Sequence, residues 1–238
     1  MQDPTHIRLD APPVPANSRI NMLPSLFHGT APQLSLTIVP APFIAIATLI
    51  LYLRFWARKQ KKQRWGIDDF LSLAALIVTY GEYICMVLVT LFGGHTIPIT
   101  QIPPENLSFA TKVFLAIAVL WATAIALIQL SILSLYLRIF NVITWFKYTC
   151  SVIITLVLIW WTSAFSSMMV ACVPLYKLWT PQIRGQCINV ARFLKALVGS
   201  HIVLDVLMIS MVLPVIWNMT TNTSNKINIS IALTLGIL

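Results

Sequence analysis

The chain has 238 residues, of which 58% are hydrophobic and only 10% are charged, and its mean hydropathy is +0.83. A soluble domain of this length would need far more polar surface to cover its core, so the composition excludes that class and predicts a membrane protein. The net charge of +9 does not indicate nucleic-acid binding, because the cations lie between apolar segments. Six of the sixteen Lys and Arg residues fall in one short stretch, at positions 54, 58, 59, 61, 62 and 64. Such a stretch is typical of an orientation signal that contacts anionic headgroups, so membrane lipids are a predicted partner.

The first 33 residues are rich in proline and contain no apolar run of signal-peptide length. They are predicted to form a flexible N-terminal tail without a cleavable targeting signal. Five apolar segments of spanning length follow, at about residues 34–53, 70–92, 113–137, 148–173 and 196–217. A helix of about 20 residues crosses roughly 30 Å of hydrocarbon. The predicted fold class is therefore all-α, a polytopic membrane helix bundle.

A sixth apolar segment, residues 227–238, has only 12 residues. A helix of that length would cover about 18 Å, which is too short to cross the hydrocarbon core. The sequence therefore predicts a transmembrane domain over residues 34–238 that is truncated within its sixth helix.

The distribution of Lys and Arg predicts the orientation. The loops after the first, third and fifth spans hold nine of these residues and the opposite side holds seven, with the excess concentrated beside the first span. This bias favours an extracellular or lumenal N-terminus and a cytoplasmic basic stretch. Glycosylation sequons leave the opposite topology open, because Asn218 and Asn222 lie in a loop that this orientation places inside. Asn106 lies in a loop placed outside and is the predicted glycan acceptor.

Cys172 and Cys187 flank the loop between the fourth and fifth spans, on the predicted outer side. A disulfide between them would close about 15 residues and contribute roughly 3 kcal/mol. No CxxC motif or paired His-Cys spacing occurs, so no metal site is predicted.

Strongly polar residues inside predicted spans are candidates for function, because inserting a charge at a helix centre costs about 2.5 to 3.5 kcal/mol. The candidates are Glu82, Gln129, His201 and Asp205. His201 and Asp205 are four residues apart and so share a helix face. One interpretation is a polar cavity that binds a ligand or relays protons. The other is hydrogen bonding between helices that holds the bundle together.

Motifs for an enzyme or a cofactor site do not occur. The sequence lacks a P-loop, a Gly-x-Ser-x-Gly motif, a His-Glu-x-x-His motif and a dinucleotide-binding pattern. An enzyme acting on a lipid or terpenoid would have to rely on His201 and Asp205 alone. We therefore predict no enzymatic activity, no catalytic residue and no cofactor.

The order and spacing of several motifs resemble those of the fungal rhodopsin-like integral membrane proteins. This family includes the satratoxin-cluster membrane protein and is related to the CFEM-bearing receptors of fungi. The matching positions are Arg54, Gly66, Asp68, Asp69, His95, Tyr136, Arg138, Pro174, Trp179 and Gly185. The resemblance implies a seven-helix bundle with an outside N-terminus, in agreement with the charge distribution, and it supports pairing of Cys172 with Cys187.

This chain lacks two features that the family or its name would lead one to expect: a basic residue in the third span and a lysine that could bind retinal. The family usually carries a basic residue at the position of Gln129. No lysine lies centrally in a predicted span, so a retinal Schiff base and light sensing are not expected.

The resemblance and the polar candidates together suggest two functions. The first is a receptor-like protein that senses a small-molecule ligand and signals to a cytoplasmic partner. The alternative is a transporter or accessory membrane protein of a secondary-metabolite pathway.

Overall fold

The computed structural model describes residue 35, residues 37–60, residue 62, and residues 66–92, 104–140, 144–179 and 184–218. These residues form five long helices: α1 (Pro40–Gln60), α2 (Ile67–Phe92), α3 (Pro104–Ile139), α4 (Thr144–Met169) and α5 (Val190–Asn218). Between α4 and α5 lie strands β1 (Cys172–Val173) and β2 (Gln186–Cys187) and a 3-10 helix over Leu175–Leu178. All five helices are long and apolar enough to cross a bilayer. The protein is a helical multi-pass membrane protein.

The connections between helices lie at two opposite ends of the bundle. One end, here called the basic end, carries the end of α1, the start of α2 and the connection from α3 to α4. The other, here called the capped end, carries the segment with β1 and β2 between α4 and α5. The short connections at the basic end, residues 61–66 and 140–143, are typical of neighbouring antiparallel helices.

Several helices extend beyond the predicted spans. The first ends at Gln60, seven residues past the predicted limit, and α3 begins at Pro104, nine residues before the predicted one. Hydropathy marks only the apolar part of a helix, whereas polar residues continue the backbone hydrogen bonding into the headgroup region. Asn106, expected in a loop, is consequently part of α3. The predicted tail 1–33 and sixth segment 227–238 lie outside the described residues.

Helix α1 lies at the edge of the described bundle. None of its residues is buried, and apolar side chains such as Phe43 and Ile50 are exposed. Its side-chain contacts with α2 include a hydrogen bond of 2.8 Å between Thr48 Oγ1 and the Tyr80 hydroxyl. Lipid chains are as apolar as these side chains, so burial alone gives little reason for helices to associate. Polar contacts are therefore important for holding α1 against α2.

The hydrophobic core lies between α3, α4 and α5. Its fully buried members include Leu133 on α3, Phe146 and Val157 on α4, and Met208 on α5. The rings of Phe140 and Phe146 pack edge to face, 5.0 Å apart, where α3 turns into α4. Helix α2 makes its most extensive contact with α3. Helix α3 therefore lies at the centre of the described bundle.

Candidate functional site

Five charged residues form an ion-pair cluster at the basic end: Arg54 and Arg58 from α1, Asp68 and Asp69 from α2, and Arg138 from α3. Both aspartates are only 1% exposed. Arg58 reaches both carboxylates, with Nη2 2.5 Å from Asp68 Oδ2 and Nη1 2.6 Å from Asp69 Oδ2. Arg54 Nη2 donates to Asp68 Oδ2 at 2.7 Å. Arg138 Nη1 lies 3.5 Å from Asp68 Oδ1. The cluster therefore joins three helices through two buried acids.

Local sequence explains how this cluster forms. Asp68 and Asp69 occupy the first turn of α2, where the helix dipole favours negative charge. Asp69, the third residue of the helix, also accepts a hydrogen bond through Oδ2 from the Gly66 backbone N–H at 3.1 Å, as the acidic residue of a capping box does. Arg54 and Arg58 are four residues apart and so extend from one face of α1. Spacing along α1 and capping of α2 thus direct opposite charges toward each other.

Two further contacts fix the position of Asp68. Ser131 Oγ on α3 donates to its backbone carbonyl at 2.8 Å. A Cβ at Gly66 would collide with Asp68 Oδ1 and would lie 2.8 Å from Arg138 Nη1. The cluster therefore needs glycine at position 66 because a side chain would occupy the space of the ion pairs.

A second assembly, the disulfide cap, covers the capped end and consists of residues 171–179 and 184–188. Its strands pair antiparallel with Cys172 opposite Cys187, and an S–S bond of 2.01 Å joins these two residues. The backbone of Gly185 lies close to the backbone of β1, since a Cβ on Gly185 would be 2.5 Å from the Val173 carbonyl oxygen. Close strand approach and a covalent bond together hold the cap in one compact piece.

The cap is anchored to the start of α3. Ser108 Oγ donates to the backbone carbonyl of Trp179 at 2.8 Å. The Lys112 ammonium lies 5.4 Å from the centre of the Trp179 ring, at a distance suited to a cation–π contact. Pro174 and Gly185, which also belong to the family motif, are parts of the same cap.

A cavity of about 600 Å³ lies beneath the disulfide cap. It has a wall from α2, α3, α4 and α5 and a roof from cap residues. Its lining residues are mainly apolar: Glu82, Thr111, Phe114, Leu115, Ile117, Ala118, Trp121, Met168, Ala171, Leu178, Ile188, Phe193, Leu194 and Val198. Glu82 is the one ionisable residue among them. The polar side-chain groups of the lining residues are the Glu82 carboxyl, the Trp121 indole N–H and the Thr111 hydroxyl, which donates to the Leu107 backbone carbonyl at 2.8 Å.

A third polar assembly, the α3–α5 polar group, consists of Gln129, His201 and Asp205. Gln129 Nε2 donates to Asp205 Oδ1 at 2.8 Å, and His201 Nδ1 lies 2.9 Å from Asp205 Oδ2. Gln129 is 3% exposed, and its Oε1 has no hydrogen-bond partner within the described residues. The group crosses from α3 to α5 in the apolar middle of both helices.

Tryptophan rings surround His201. The Trp160 ring packs edge to face on it at 5.8 Å, and the Trp121 ring lies 6.3 Å away. Trp160 is itself held by a hydrogen bond of 2.8 Å from Nε1 to Ser200 Oγ. Because Trp121 also lines the cavity, it is the physical link between the cavity and the α3–α5 polar group.

The structure divides the predicted intramembrane candidates into two sets. It brings Gln129, His201 and Asp205 together, and it places Glu82 apart from them in the cavity wall. Tyr136 lies in the core between α3 and α4, fully buried, rather than in a site. His95 lies outside the described residues, and the side chain of Asn106 is not described.

Sequence reasoning missed the ion-pair cluster. It places Arg54 and Arg58 in the basic stretch that contacts headgroups and names Asp68 and Asp69 as positions of the family motif, without pairing these charges. The available signal was the i, i+4 spacing of two arginines shortly before two adjacent acids at a membrane boundary. Within the part of the chain that the structure describes, no group of three or more His, Cys, Asp or Glu side chains could hold a metal ion.

Comparisons with known proteins identify similar chains. The family model described as Fungal rhodopsin domain matches residues 53–238. The SAT4 family membrane protein of Emericella nidulans is 26% identical over 157 residues, an alignment that covers 61% of this chain and 38% of that relative. The matched part is thus well under half of the relative's length. No solved structure matches this chain.

Proposed function

The chain belongs to the fungal rhodopsin domain family, and on that premise we propose that it is a receptor-like membrane protein that senses a small molecule. In this proposal the five described helices are part of a bundle of the seven-helix type, and the N-terminus is outside. The basic end then faces the cytoplasm, where the protein contacts a signalling partner. The protein catalyses no reaction.

The observation that carries the proposal is the cavity beneath the disulfide cap. Its volume of about 600 Å³ is within the range of roughly 300–1,000 Å³ that is usual for small-molecule sites. Such sites combine mainly apolar walls with a few polar groups that orient the ligand. In this proposal the Glu82 carboxyl and the Trp121 indole N–H supply those polar groups. A cap fastened by the bond between Cys172 and Cys187 gives the cavity a stable roof.

Contacts of the cavity also suggest how a bound molecule would change the bundle. Trp121 touches both the cavity and His201, so a ligand that moves this ring would act on the contact between α3 and α5. At the basic end, Arg138 on α3 meets Asp68 on α2, so a relative shift of these helices would alter the ion-pair cluster. A ligand shifts such an equilibrium only through a difference in affinity for the two arrangements. The residues of the cavity wall and of the ion-pair cluster are the parts whose contacts would differ between the two arrangements.

Saturable ligand binding by full-length protein in lipid nanodiscs tests the receptor proposal. A small-molecule library is screened for compounds that raise the thermal unfolding midpoint with a saturable concentration dependence. We expect at least one such compound class, and we expect Ala118→Phe, which places an aromatic ring in the cavity, to abolish its effect. Ala116→Phe is the matched control, because Ala116 is exposed on the same helix and does not line the cavity.

A deletion strain gives the second readout. If no compound binds saturably and the strain keeps all of its responses to extracellular compounds, the receptor proposal is wrong.

Glycan mapping tests the orientation. We expect single-sequon variants expressed in a glycosylating host to carry a glycan only when Asn106 is retained. A glycan at Asn218 or Asn222 would invert the topology and place the basic end outside.

The alternative function is a transporter or accessory membrane protein of a secondary-metabolite pathway. The α3–α5 polar group favours it, because the Asp205 carboxyl and the His201 imidazole, 2.9 Å apart, could exchange a proton within the bilayer while Gln129 donates a hydrogen bond to Asp205. Asp205→Asn keeps the shape of this group and removes its charge. We expect that variant to abolish a metabolite export that deletion of the gene also abolishes. Unchanged intracellular and extracellular metabolite levels after deletion would contradict this alternative.

A further inference from the structure

We propose that the cavity takes an apolar molecule that carries one cationic nitrogen, and that the carboxylate of Glu82 is its counter-ion. This inference rests on the proposed ligand-binding function and names the chemical class of the ligand. It concerns a residue that takes no part in the ion-pair cluster or in the α3–α5 polar group.

Glu82 differs from the other acids whose side chains the structure describes. Asp68 and Asp69 contact arginines, and Asp205 contacts Gln129 and His201. Glu82 has no hydrogen-bond or ion-pair partner within the described residues, although it lies well inside an apolar helix. It is ten residues from the end of α2 at Phe92, about 15 Å along the helix axis. Ionisable groups at such depth are costly and usually have a partner.

The cavity supplies the space in which that partner would lie. Glu82 lines it together with the aromatic rings of Phe114, Trp121 and Phe193. Aromatic faces attract organic cations, and an apolar wall accommodates the rest of the molecule. An anionic ligand would be repelled by the carboxylate, and a neutral apolar one would leave it unpaired in a low-dielectric site. A protonated amine on an apolar skeleton satisfies both parts of the lining.

A matched pair of fluorescent probes tests this assignment. Dansylcadaverine has an apolar dansyl ring system and a primary ammonium group, and its N-acetyl derivative has the same skeleton without the charge. Full-length protein in nanodiscs is titrated with each probe, and energy transfer from tryptophan to dansyl reports binding, since Trp121 lies in the cavity wall. Empty nanodiscs measure partition into lipid. We expect the amine to bind about tenfold tighter than its acetylated form, as a charge-assisted contact provides.

Two variants test whether Glu82 causes the tighter binding of the amine probe. We expect Glu82→Gln to remove the difference between the two probes by weakening the amine and leaving the neutral probe unchanged. Cys85→Ala is the matched control, because it lies about one turn further along α2 and does not line the cavity. We expect it to keep the preference.

The outcomes separate this inference from the function on which it rests. If both probes bind wild type equally, or if Glu82→Gln keeps the preference, the cavity binds ligands and the counter-ion assignment is wrong. If neither probe binds saturably while library compounds do, the ligand class is wrong and the receptor proposal stands. If nothing binds saturably, the counter-ion assignment is wrong, and the responses of the deletion strain decide whether the receptor proposal is wrong as well. The comparison of probes on wild type needs no variant to fold.

Discussion

Asp68 and Glu82 are acidic residues of the same helix, and their surroundings are opposite. Asp68 is 1% exposed and meets arginines from α1 and α3. Glu82, about 21 Å further along α2, is one of the residues that line a cavity and has no partner within the described residues. Removing one member of a buried ion pair leaves its partner as an uncompensated buried charge. Removing a carboxylate that has no partner leaves no such charge. The contrast separates a charge that holds helices together from one that is available to a ligand.

Asp68→Asn should have the largest effect on stability. The substitution keeps the side-chain shape and leaves Arg54, Arg58 and Arg138 with one carboxylate, so we expect the free energy of unfolding to fall by about 3–5 kcal/mol. Unfolding of the purified protein in mixed micelles measures it. Lys62→Gln is the control, because Lys62 is an exposed cation of the same region that forms no ion pair with a described residue. Equal loss in the two variants would mean that net charge, rather than the cluster, matters.

Cys172→Ser should cause the second-largest loss of stability, and it tests the contribution of the disulfide at the capped end. Loss of a bond that closes about 15 residues is expected to lower the free energy of unfolding by about 3 kcal/mol. Dithiothreitol should lower the unfolding midpoint of wild type and leave that of the variant unchanged. Cys85→Ser, which removes a free thiol, is the control. A wild-type protein that is indifferent to reductant would show that hydrogen bonds alone hold the cap.

Gly66→Ala should lower the free energy of unfolding by an intermediate amount, whereas the control substitution Gly199→Ala should not lower it. A methyl group at position 66 meets Asp68 and Arg138, so we expect a loss of about 1–3 kcal/mol. A methyl group at Gly199, the tenth residue of α5, meets no atom within 4 Å. We expect Gly199→Ala to be neutral or to stabilise by up to about 1 kcal/mol, because alanine favours the helix. If both substitutions destabilise equally, crowding at the cluster is not the cause.

Glu82→Gln should have the smallest effect on stability. No described partner is lost, so we expect the free energy of unfolding to change by less than about 0.5 kcal/mol or to rise slightly. The same unfolding measurement used for Asp68→Asn gives the direct comparison of the two acids. A loss as large as that of Asp68→Asn would show that Glu82 has a structural partner, and the distinction drawn between them would be wrong.

Predicting the site from sequence succeeded in selecting residues and failed in arranging them. Glu82, Gln129 and Asp205 stood out because polar groups are rare in apolar helices. Only the proximity of His201 and Asp205 followed from spacing, since they lie one turn apart on one helix. Gln129 and Asp205 are 76 residues apart, and their contact depends on how α3 and α5 pack. The cavity, too, is a space between four helices, which no local pattern encodes.

The sequence by itself determined that the chain is a membrane protein, which helices cross the bilayer, and the family to which it belongs. These properties follow from apolar length and local motifs, because a bilayer requires each spanning segment to satisfy its own backbone hydrogen bonds. Only the tertiary structure decided which charges are paired. Asp68 and Glu82 are both acids near or within one apolar helix, and sequence cannot tell which of them a neighbouring helix reaches. Pairing depends on distances between helices, and these are set by the packing of side chains that are far apart along the chain.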